Sequence, residues 1–366
     1  YYTHAILWTY TPPTGAPTFT SVPRSITVVA GNSFVLAASA TAPGAISFQW
    51  QREGVDVPGA TAATLVATQP GVYKVLATSI GALTTSPPAF VSQIATSDIG
   101  RLANFSIRAA TGSDAPALTI GAVIDGTGTK PILVRAAGPA LSGYGLTGLL
   151  PDPVLSLVKD GSTVAANDNW SGTQVSSMAT AVGAFPFAAG SLDAAVATSL
   201  SPGAYNFHVT GKNGASGLVL AELYDATPAE VFTSDSPRLV NVSVRTRIAT
   251  DARIAVAGFV IVGATAKTVL IRAIGPGLAS LGVSGVLPDP KLQLFSGSAL
   301  LYENDDWGGN ALLASIGASV AAFPVTDPSS KDAMIVVTLP PGAYTAQVSG
   351  VENTIGTVLI EAYEVF

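Results

Sequence analysis

The sequence predicts an all-β protein, made of three β-sandwich domains in tandem behind an extended N-terminal strand. First, short β-branched and aromatic runs alternate with Gly, Pro, Asn and Asp turns along the chain. Second, residues 101–108 (RLANFSIR) recur as residues 238–245 (RLVNVSVR), and later motifs recur in the same order, so a whole domain is duplicated. Third, charged residues make up 11% of the chain, against about a quarter in ordinary soluble proteins. So few charges suit a protein that packs against copies of itself.

Composition excludes several functions. The net charge is −6 and no basic run occurs, so the charge needed to bind nucleic acid is missing. Cysteine is absent, which excludes disulfides, thiolate metal sites and thiol catalysis. The most apolar run, residues 254–266, is too short to span a bilayer. Because the chain begins at Tyr1 rather than Met, we interpret it as a mature product or a fragment whose export signal, if any, has been removed.

Residues 1–16 form the first predicted unit, an extended arm. Residues 1–10 alternate like a strand, which would leave apolar side chains and backbone groups in need of a partner. Three fates stay open: addition to a sheet of a neighbouring molecule, folding back on the chain, or a disordered remnant. We favour the first, because the next domain does not lack a strand. The predicted interface residues are Tyr2, His4, Ile6, Leu7, Trp8 and Tyr10.

Residues 17–93 form the second predicted unit, a β-sandwich. Trp50 follows two short strands, Tyr73 lies within the strand GVYKV, and Ala38 and Val75 occupy positions that are often joined by a disulfide in such sandwiches. With these features the segment resembles a bacterial immunoglobulin-like domain. The resemblance implies a core closed by packing alone, with Trp50 and Tyr73 as structural residues.

Residues 94–232 and 233–366 form the two copies of the duplicated unit. Each copy carries an Arg-Leu-x-Asn-x-Ser-x-Arg opening, an Arg-x-x-Gly-Pro turn, an Asn-Asp-x-Trp loop and a Pro-Gly-Ala-Tyr strand. Many short strands with regular turns favour a jelly-roll-like sandwich, with one short helical segment per copy.

These motifs resemble tandem β-sandwich repeats found behind immunoglobulin-like modules in large secreted proteins of environmental bacteria. The second half of each copy is also similar to the bacterial pre-peptidase C-terminal sandwich. The resemblance implies secretion to the cell surface and a role without catalysis.

The Asn-Asp-x-Trp loops are the candidate metal sites. Clustered side-chain oxygens suit Ca²⁺, but the same side chains also stabilise their own turns, and too few ligands can be named for a complete calcium shell. We favour the structural turn, with Trp170 and Trp307 as structural residues that anchor the loops on the sandwich, and keep calcium as the alternative. No other cofactor is expected. The residues concerned are Asn167, Asp168 and Asn169 in the first copy and Asn304, Asp305 and Asp306 in the second.

Arg135 and Arg272 lie in apolar strands just before the Gly-Pro turns. A buried Arg needs a carboxylate. The Pro-Asp-Pro turns (Asp152, Asp289) and the final strands (Glu222, Glu361) offer one in each copy, so we predict a structural ion pair.

Catalysis is not predicted. The two histidines are His4 and His208, and Gln347 stands where the second copy would repeat His208, so no Ser-His-Asp arrangement can occur in both copies. We expect His208 to face solvent.

The predicted function is therefore an extracellular structural protein, a subunit of a fibre or surface assembly. It would polymerise with copies of itself by donating its N-terminal strand. The alternative is a secreted adhesin or carbohydrate-binding module, possibly accessory to a hydrolase, in which exposed Trp170 and Trp307 contact surface polysaccharide.

Overall fold

A computed structural model describes residues 15–111, 118–233, 235–248 and 254–366. The predicted N-terminal strand, residues 1–10 with its interface side chains, lies outside these ranges. Over the described chain, β-strands dominate and the all-β class is confirmed. None of the helices described is long and apolar enough to cross a membrane.

The first domain is an immunoglobulin-like sandwich. Its larger sheet has the order β2-β10-β8-β5-β6, with β9 beside β8, while β3 pairs with β7 and β1 with β4. The strands are β1 (Thr18–Ser21), β2 (Ile26–Val29), β3 (Phe34–Ala37), β4 (Ser39–Thr41), β5 (Ser47–Arg52), β6 (Val55–Asp56), β7 (Thr64–Ala67), β8 (Gly71–Ser79), β9 (Ala82–Thr85) and β10 (Ala89–Ile94).

Packing alone closes this domain. Trp50 is fully buried, and its indole N–H donates to the carbonyl of Ala62 at 2.9 Å, so its polar atom is satisfied. Ala38 and Val75 are both buried in the same core. Tyr73 is buried with its hydroxyl bonded to the carbonyl of Gln69, four residues upstream, at 2.7 Å. This arrangement is the tyrosine corner of immunoglobulin domains.

The first repeat is a jelly roll of two four-stranded sheets. Numbered within the repeat, strands 1, 8, 3 and 6 form one sheet and strands 2, 7, 4 and 5 the other, all antiparallel, as in a double Greek key. The elements are β11 (Arg101–Thr111), β12 (Leu118–Asp125), β13 (Lys130–Ala137), β14 (Pro153–Lys159), β15 (Ser162–Asn167), α1 (Thr173–Ala181), β16 (Ala194–Leu200), β17 (Gly203–Gly211) and β18 (Gly217–Asp225).

The second repeat has the same topology. Its elements are β19 (Arg238–Ile248), β20 (Ile254–Val262), β21 (Lys267–Ile274), β22 (Pro290–Ser296), β23 (Ala299–Asn304), α2 (Ala311–Ser319), β24 (Ala333–Leu339), β25 (Gly342–Gly350) and β26 (Gly356–Glu364). Both predicted helical segments are therefore confirmed. Short 3₁₀ helices occupy Pro139–Tyr144, Lys212–Gly214, Ala229–Val231, Pro276–Leu281 and Val351–Asn353.

The two repeats share both of their sheets. Strand β11 pairs with β20, and β12 pairs with β19, so each four-stranded sheet of one repeat continues into a sheet of the other. The result is two eight-stranded sheets, β16-β13-β18-β11-β20-β25-β22-β23 and β15-β14-β17-β12-β19-β26-β21-β24. One hydrophobic core runs through both repeats. The predicted boundary between residues 232 and 233 thus divides two copies of one motif, but strand pairing crosses it twice.

The immunoglobulin-like domain packs against the end of the second repeat. All four residues of β3 are buried, because Phe34 and Leu36 face the core of their own domain while Val35 packs against the second repeat. The backbone N–H of Val35 donates to the hydroxyl of Thr338 in β24 at 2.6 Å. The N–H of Ala266 donates to the carbonyl of Thr27 at 2.6 Å. The interface therefore combines apolar packing with hydrogen bonds at buried positions.

The corner seen at Tyr73 recurs in both repeats. The hydroxyl of Tyr205 donates to the carbonyl of Ser201 at 2.8 Å, and that of Tyr344 donates to the carbonyl of Pro340 at 2.7 Å. Each tyrosine again bonds four residues upstream. The Pro-Gly-Ala-Tyr motif thus fixes the turn that enters the seventh strand of each jelly roll.

Alkaline pH should destabilise the protein. Burial is the largest cause that raises the pKa of Tyr302 to about 12, and it also raises the pKa of Tyr224, Tyr344 and Tyr363 above 10. A raised folded-state pKa gives stability that is complete below pH 10 and is lost as the pH rises through the folded value. For Tyr302 the two pH units correspond to about 3 kcal/mol. Urea unfolding between about pH 9 and about pH 12 should show this loss.

The Tyr302→Phe variant should have a flatter pH dependence in the same window, because the titrating hydroxyl is gone. A free energy of unfolding that stays constant across this window in the parent protein would contradict the burial of these hydroxyls.

Candidate functional site

The Asn-Asp-x-Trp loop connects the sandwich edges within each repeat. The side-chain N–H of Asn167 donates to the carbonyl of Asn169 at 2.9 Å, while its side-chain oxygen accepts the backbone N–H of Ala195 at 2.9 Å. Asn304 makes the same two bonds, to the carbonyl of Asp306 and from the N–H of Met334, each at 2.8 Å. In each copy, the side-chain amide of the first loop residue therefore links the two edge strands on either side of the loop.

The acidic residues of these loops form ion pairs. The carboxylate of Asp168 lies 3.0 Å from the ammonium of Lys212, whose hydrogen bond is the largest cause lowering the pKa of Asp168. Asp306 pairs with Lys331 at 2.8 Å. Within the described ranges, no group of three or more His, Cys, Asp or Glu is arranged to hold a metal ion. The geometry thus favours the structural turn, and calcium at residues 167–169 and 304–306 stays an untested prediction.

The two loop tryptophans are anchors. Trp307 is 6% exposed, and its indole N–H donates to the carbonyl of Asp327 at 3.1 Å. Trp170 is half-buried; its indole N–H donates to the carbonyl of Ala188 at 3.2 Å, and its ring meets Phe187 edge-on. This burial fits the structural role expected for both tryptophans. The alternative, in which both rings are exposed sugar platforms, does not hold for Trp307, because its ring fills the core beneath α2.

The two strand arginines are buried beside glutamates. The Nε atom of Arg135 lies 3.3 Å from the carboxylate of Glu222, and Nε of Arg272 donates to Glu361 at 2.9 Å. The sequence offered two carboxylates per copy; the structure places the final-strand glutamate opposite the arginine and leaves Asp152 beside Lys212 at 3.7 Å.

Further contacts surround each guanidinium. Arg135 donates to the carbonyl of Phe185 at 2.8 Å, and the rings of Phe185 and Phe187 lie 4.4 and 3.9 Å from the guanidinium carbon. In the second copy, Arg272 donates to the carbonyl of Phe323 at 2.7 Å and lies over its ring at 4.4 Å. Each arginine thus joins the sheet to the segment that follows the helix.

A second buried charge cluster was not predicted. Lys130 is fully buried, with its ammonium 2.6 Å from Asp225; in the second copy Lys267 lies 3.4 Å from Glu364. Burial is the largest cause that lowers the pKa of both lysines. Arg238 also pairs with Glu364, at 2.8 Å. The duplication could have revealed this cluster, because a lysine and an acidic residue recur at matching strand ends in the two copies.

Two buried aspartates were also missed. Asp193 is fully buried and accepts the N–H groups of Gly138 at 2.7 Å and Ala140 at 3.2 Å. Asp332 does the same for the N–H groups of Gly275 at 2.7 Å and Gly277 at 3.0 Å. These carboxylates accept hydrogen bonds from the backbone N–H groups of the Gly-Pro turns. The N–H donors of each turn, which could otherwise bind an external anion, are therefore already occupied. The sequence feature that could have revealed these two aspartates is the Ser-x-Asp motif, which recurs at residues 191–193 and 330–332.

His208 is only half-buried rather than fully solvated. Its Nδ1 lies 2.8 Å from the hydroxyl of Thr119 on the neighbouring strand.

Comparisons with known proteins identify similar folds but no family. No family model matches the sequence, and no curated protein matches it. Solved structures of tandem immunoglobulin domains are similar. They include the tandem Ig repeats of Dlar (14% identity, 23% of this chain, 51% of that chain, TM-score 0.22) and titin domains Z1Z2 in complex with telethonin (17%, 64%, 89%, 0.21). A fragment of three titin Ig domains aligns at 9% identity over 91% of this chain and 93% of its own (TM-score 0.19). This chain therefore spans about half the length of the Dlar structure.

Proposed function

We propose that this chain is a structural, non-catalytic module of an extracellular assembly. The observation that carries the proposal is the continuity of both sheets through the two repeats. Strands β11, β12, β19 and β20 are paired on both sides, so the repeats cannot hinge at their boundary without breaking two strand pairings. A module of this kind resists bending and suits a spacer or a fibre subunit. Its extracellular placement follows from the resemblance of its motifs to those of secreted proteins.

The polar side chains of the described chain support a structural role. Arg272, Asp193 and Asp332 are buried and hydrogen-bonded within the protein. Arg135 is buried beside Glu222 and donates to the carbonyl of Phe185, while its Nε and Nη2 make no hydrogen bond within the described chain. These groups hold turns and sheet edges. The buried charges that occur in both copies thus have a structural role in the sandwich.

The finer part of the proposal is head-to-tail assembly through donation of residues 1–10 to another copy. The two ends of the shared sheets support this polarity. At the end formed by the second repeat, β3 of the immunoglobulin-like domain packs against β24. At the opposite end, β16 pairs with β13 on one side and with no other strand of the described chain on the other side.

The chemistry of β16 also suits strand addition. Its sequence, AAVATSL, contains no charge and no proline, the two devices that most often protect an edge. The N–H of Ala195 points away from β13 toward Asn167. Since N–H direction alternates along a strand, the N–H groups of Ala197 and Ser199 point to the same side as that of Ala195, beyond the bond to Asn167. A strand donated by a second copy would bond there.

Two variants test this proposal on the full chain. The parent chain should form fibres in negative-stain electron microscopy, and deleting residues 1–11 should abolish them and leave a monomer in sedimentation velocity. Ala197→Pro should do the same, because it removes one outward N–H without removing a bond to β13. Ala166→Pro in β15 is the matched control at the other edge and should still assemble. Unchanged assembly of both the deletion and the Ala197→Pro protein would overturn strand donation, while circular dichroism verifies that the fold persists.

A further inference from the structure

We propose that a shallow groove over the junction of the two repeats binds an acidic glycan, with a carboxylate of the sugar chain on Arg108. The groove encloses about 450 Å³ and is lined by side chains from both repeats. It lies on the outer face of the sheet that contains β11 and β20, far in the sheet order from the edge β16. This binding function goes beyond the structural role proposed above and can fail independently of it.

Four adjacent strands form the floor of the groove. Leu220 of β18 lies opposite Arg108 of β11, which in turn lies opposite Val256 of β20. Gly258 faces Ser106 on one side and Thr345 of β25 on the other. Three strand spacings make the floor about 14 Å wide. It exists only because β11 of the first repeat pairs with β20 of the second.

Gly258 has no side chain to fill the base of the groove. A Cβ atom at this position would lie 2.8 Å from the hydroxyl oxygen of Ser106, too close for an ordinary contact. The absence of a side chain leaves the hydroxyls of Ser106 and Thr345 at the base of the groove. Hydroxyl groups at the base of an otherwise apolar groove can orient a polar ligand.

The wall is aromatic and is held in place. It consists of Leu141, Tyr144, Leu146 and Phe185. Tyr144 is 63% exposed, and its ring meets that of Phe185 edge-on at 5.3 Å. Phe185 is fixed in turn by the guanidinium of Arg135, 4.4 Å from its ring centre. An exposed aromatic ring that is fixed before binding offers an apolar face for the C–H surface of a sugar at little entropic cost.

The charge of the groove favours an anionic ligand. Arg108 is the charged residue of the lining, and no Asp or Glu lines it. Among the described residues Arg108 forms no ion pair, although the chain holds 23 acidic and 17 basic residues. A cation without a carboxylate partner among the described residues is available to a carboxylate from outside.

The open shape favours a chain over an enclosed small molecule. The exposure of Tyr144 shows that the wall does not close over the floor, so a ligand can extend beyond it at either end. A peptide would find no free strand edge here, because β11, β20 and β18 are each paired on both sides. Side-chain hydroxyls, an aromatic face and one guanidinium together match a sugar chain that carries carboxylates.

The duplication supplies a matched control on the other sheet. There Leu281 stands in place of Tyr144, and Arg245 in place of Arg108. Arg245 lies opposite Thr119, which contacts His208, so the polar surroundings differ as well. Because the aromatic wall residue is missing on this face, we expect binding only at the groove of Tyr144.

The test uses isothermal titration calorimetry of the full chain with oligosaccharides of galacturonate, mannuronate and hyaluronan, and with neutral cello-oligosaccharides of the same length. At least one acidic series should bind, with an affinity that falls as salt is raised. Arg108→Gln and Tyr144→Ala should each weaken binding about tenfold or more, a change of the size expected when a charged hydrogen bond or an aromatic contact is lost. Arg245→Gln and Leu281→Ala should bind like the parent.

Three results would overturn the proposal. The first is that no acidic series binds; the second is that neutral sugars bind as well as acidic ones. The third is that the groove contacts another protein copy, seen as self-association that Tyr144→Ala abolishes in sedimentation equilibrium. Both groove residues are exposed, and circular dichroism of the variants will separate loss of binding from loss of fold.

Discussion

Replacing Glu361 with Ala should lower the free energy of unfolding by about 3–5 kcal/mol. Glu361 is the carboxylate that receives Nε and Nη2 of Arg272, and Arg272 is 2% exposed. Removing the carboxylate leaves a buried guanidinium whose desolvation is no longer compensated, and this penalty is the source of the effect. Tyr363 also loses the acceptor of its hydroxyl, 2.7 Å away. Urea denaturation followed by circular dichroism would measure the change.

Two companion variants identify the cause. The double variant Glu361→Leu/Arg272→Met should recover most of the loss, because apolar residues of similar volume often replace a buried ion pair at little cost. Glu303→Ala breaks the exposed pair with Lys291 and should change stability by about 1 kcal/mol at most. If Glu361→Ala and Glu303→Ala were equally mild, the buried pair would not hold the second repeat together in the way the structure indicates.

The Phe259→Ala variant should cost about 3–5 kcal/mol and should destabilise both repeats together. Phe259 belongs to the second repeat, yet it lies opposite Phe105 of the first repeat across the β11–β20 pairing. Its ring is 2% exposed and stacks on Tyr344 with centroids 5.5 Å apart. Truncation leaves a cavity in the core common to both repeats. Thermal unfolding followed at probes in each repeat should show one transition, at a lower temperature than the parent.

Leu300→Ala is the matched control for this variant. Leu300 is 38% exposed at the edge strand β23, so its loss should change the free energy of unfolding by much less than the loss of Phe259. If Phe259→Ala lowered the unfolding temperature of the second repeat and left the first unchanged, the common core would not act as one cooperative unit.

Much of the fold could be predicted from the duplicated pattern. Alternating burial along β17 and β25 places Tyr205 and Tyr344 inward, as expected from Pro-Gly-Ala-Tyr. The pairing of β11 with β20 could not be predicted in this way. Alternation of side chains records which face of a strand is buried, whereas the identity of the neighbouring strand depends on backbone hydrogen bonds that every sequence can make.

The candidate site was predicted in part, for a related reason. Arg135 and Arg272 interrupt apolar strands, so a buried partner had to exist, and Glu222 and Glu361 were among the carboxylates named. Lys130 and Lys267 were missed because a lysine at the start of a strand is usually exposed to solvent. Trp307 was named as a structural residue, but the loop sequence does not show that α2 covers its ring. Tertiary contacts decided each of these cases.

Native-state hydrogen exchange of the junction strands tests the shared sheets most directly. Mass spectrometry of peptides from residues 101–111 and 254–262 would follow the amides of β11 and β20 as urea is raised. These amides should exchange only through global unfolding, with the same free energy as those of the central strands β18 and β26. Exchange of the junction amides at a much lower free energy than β18 and β26 would show that the repeats separate before they unfold, and would contradict the shared sheets.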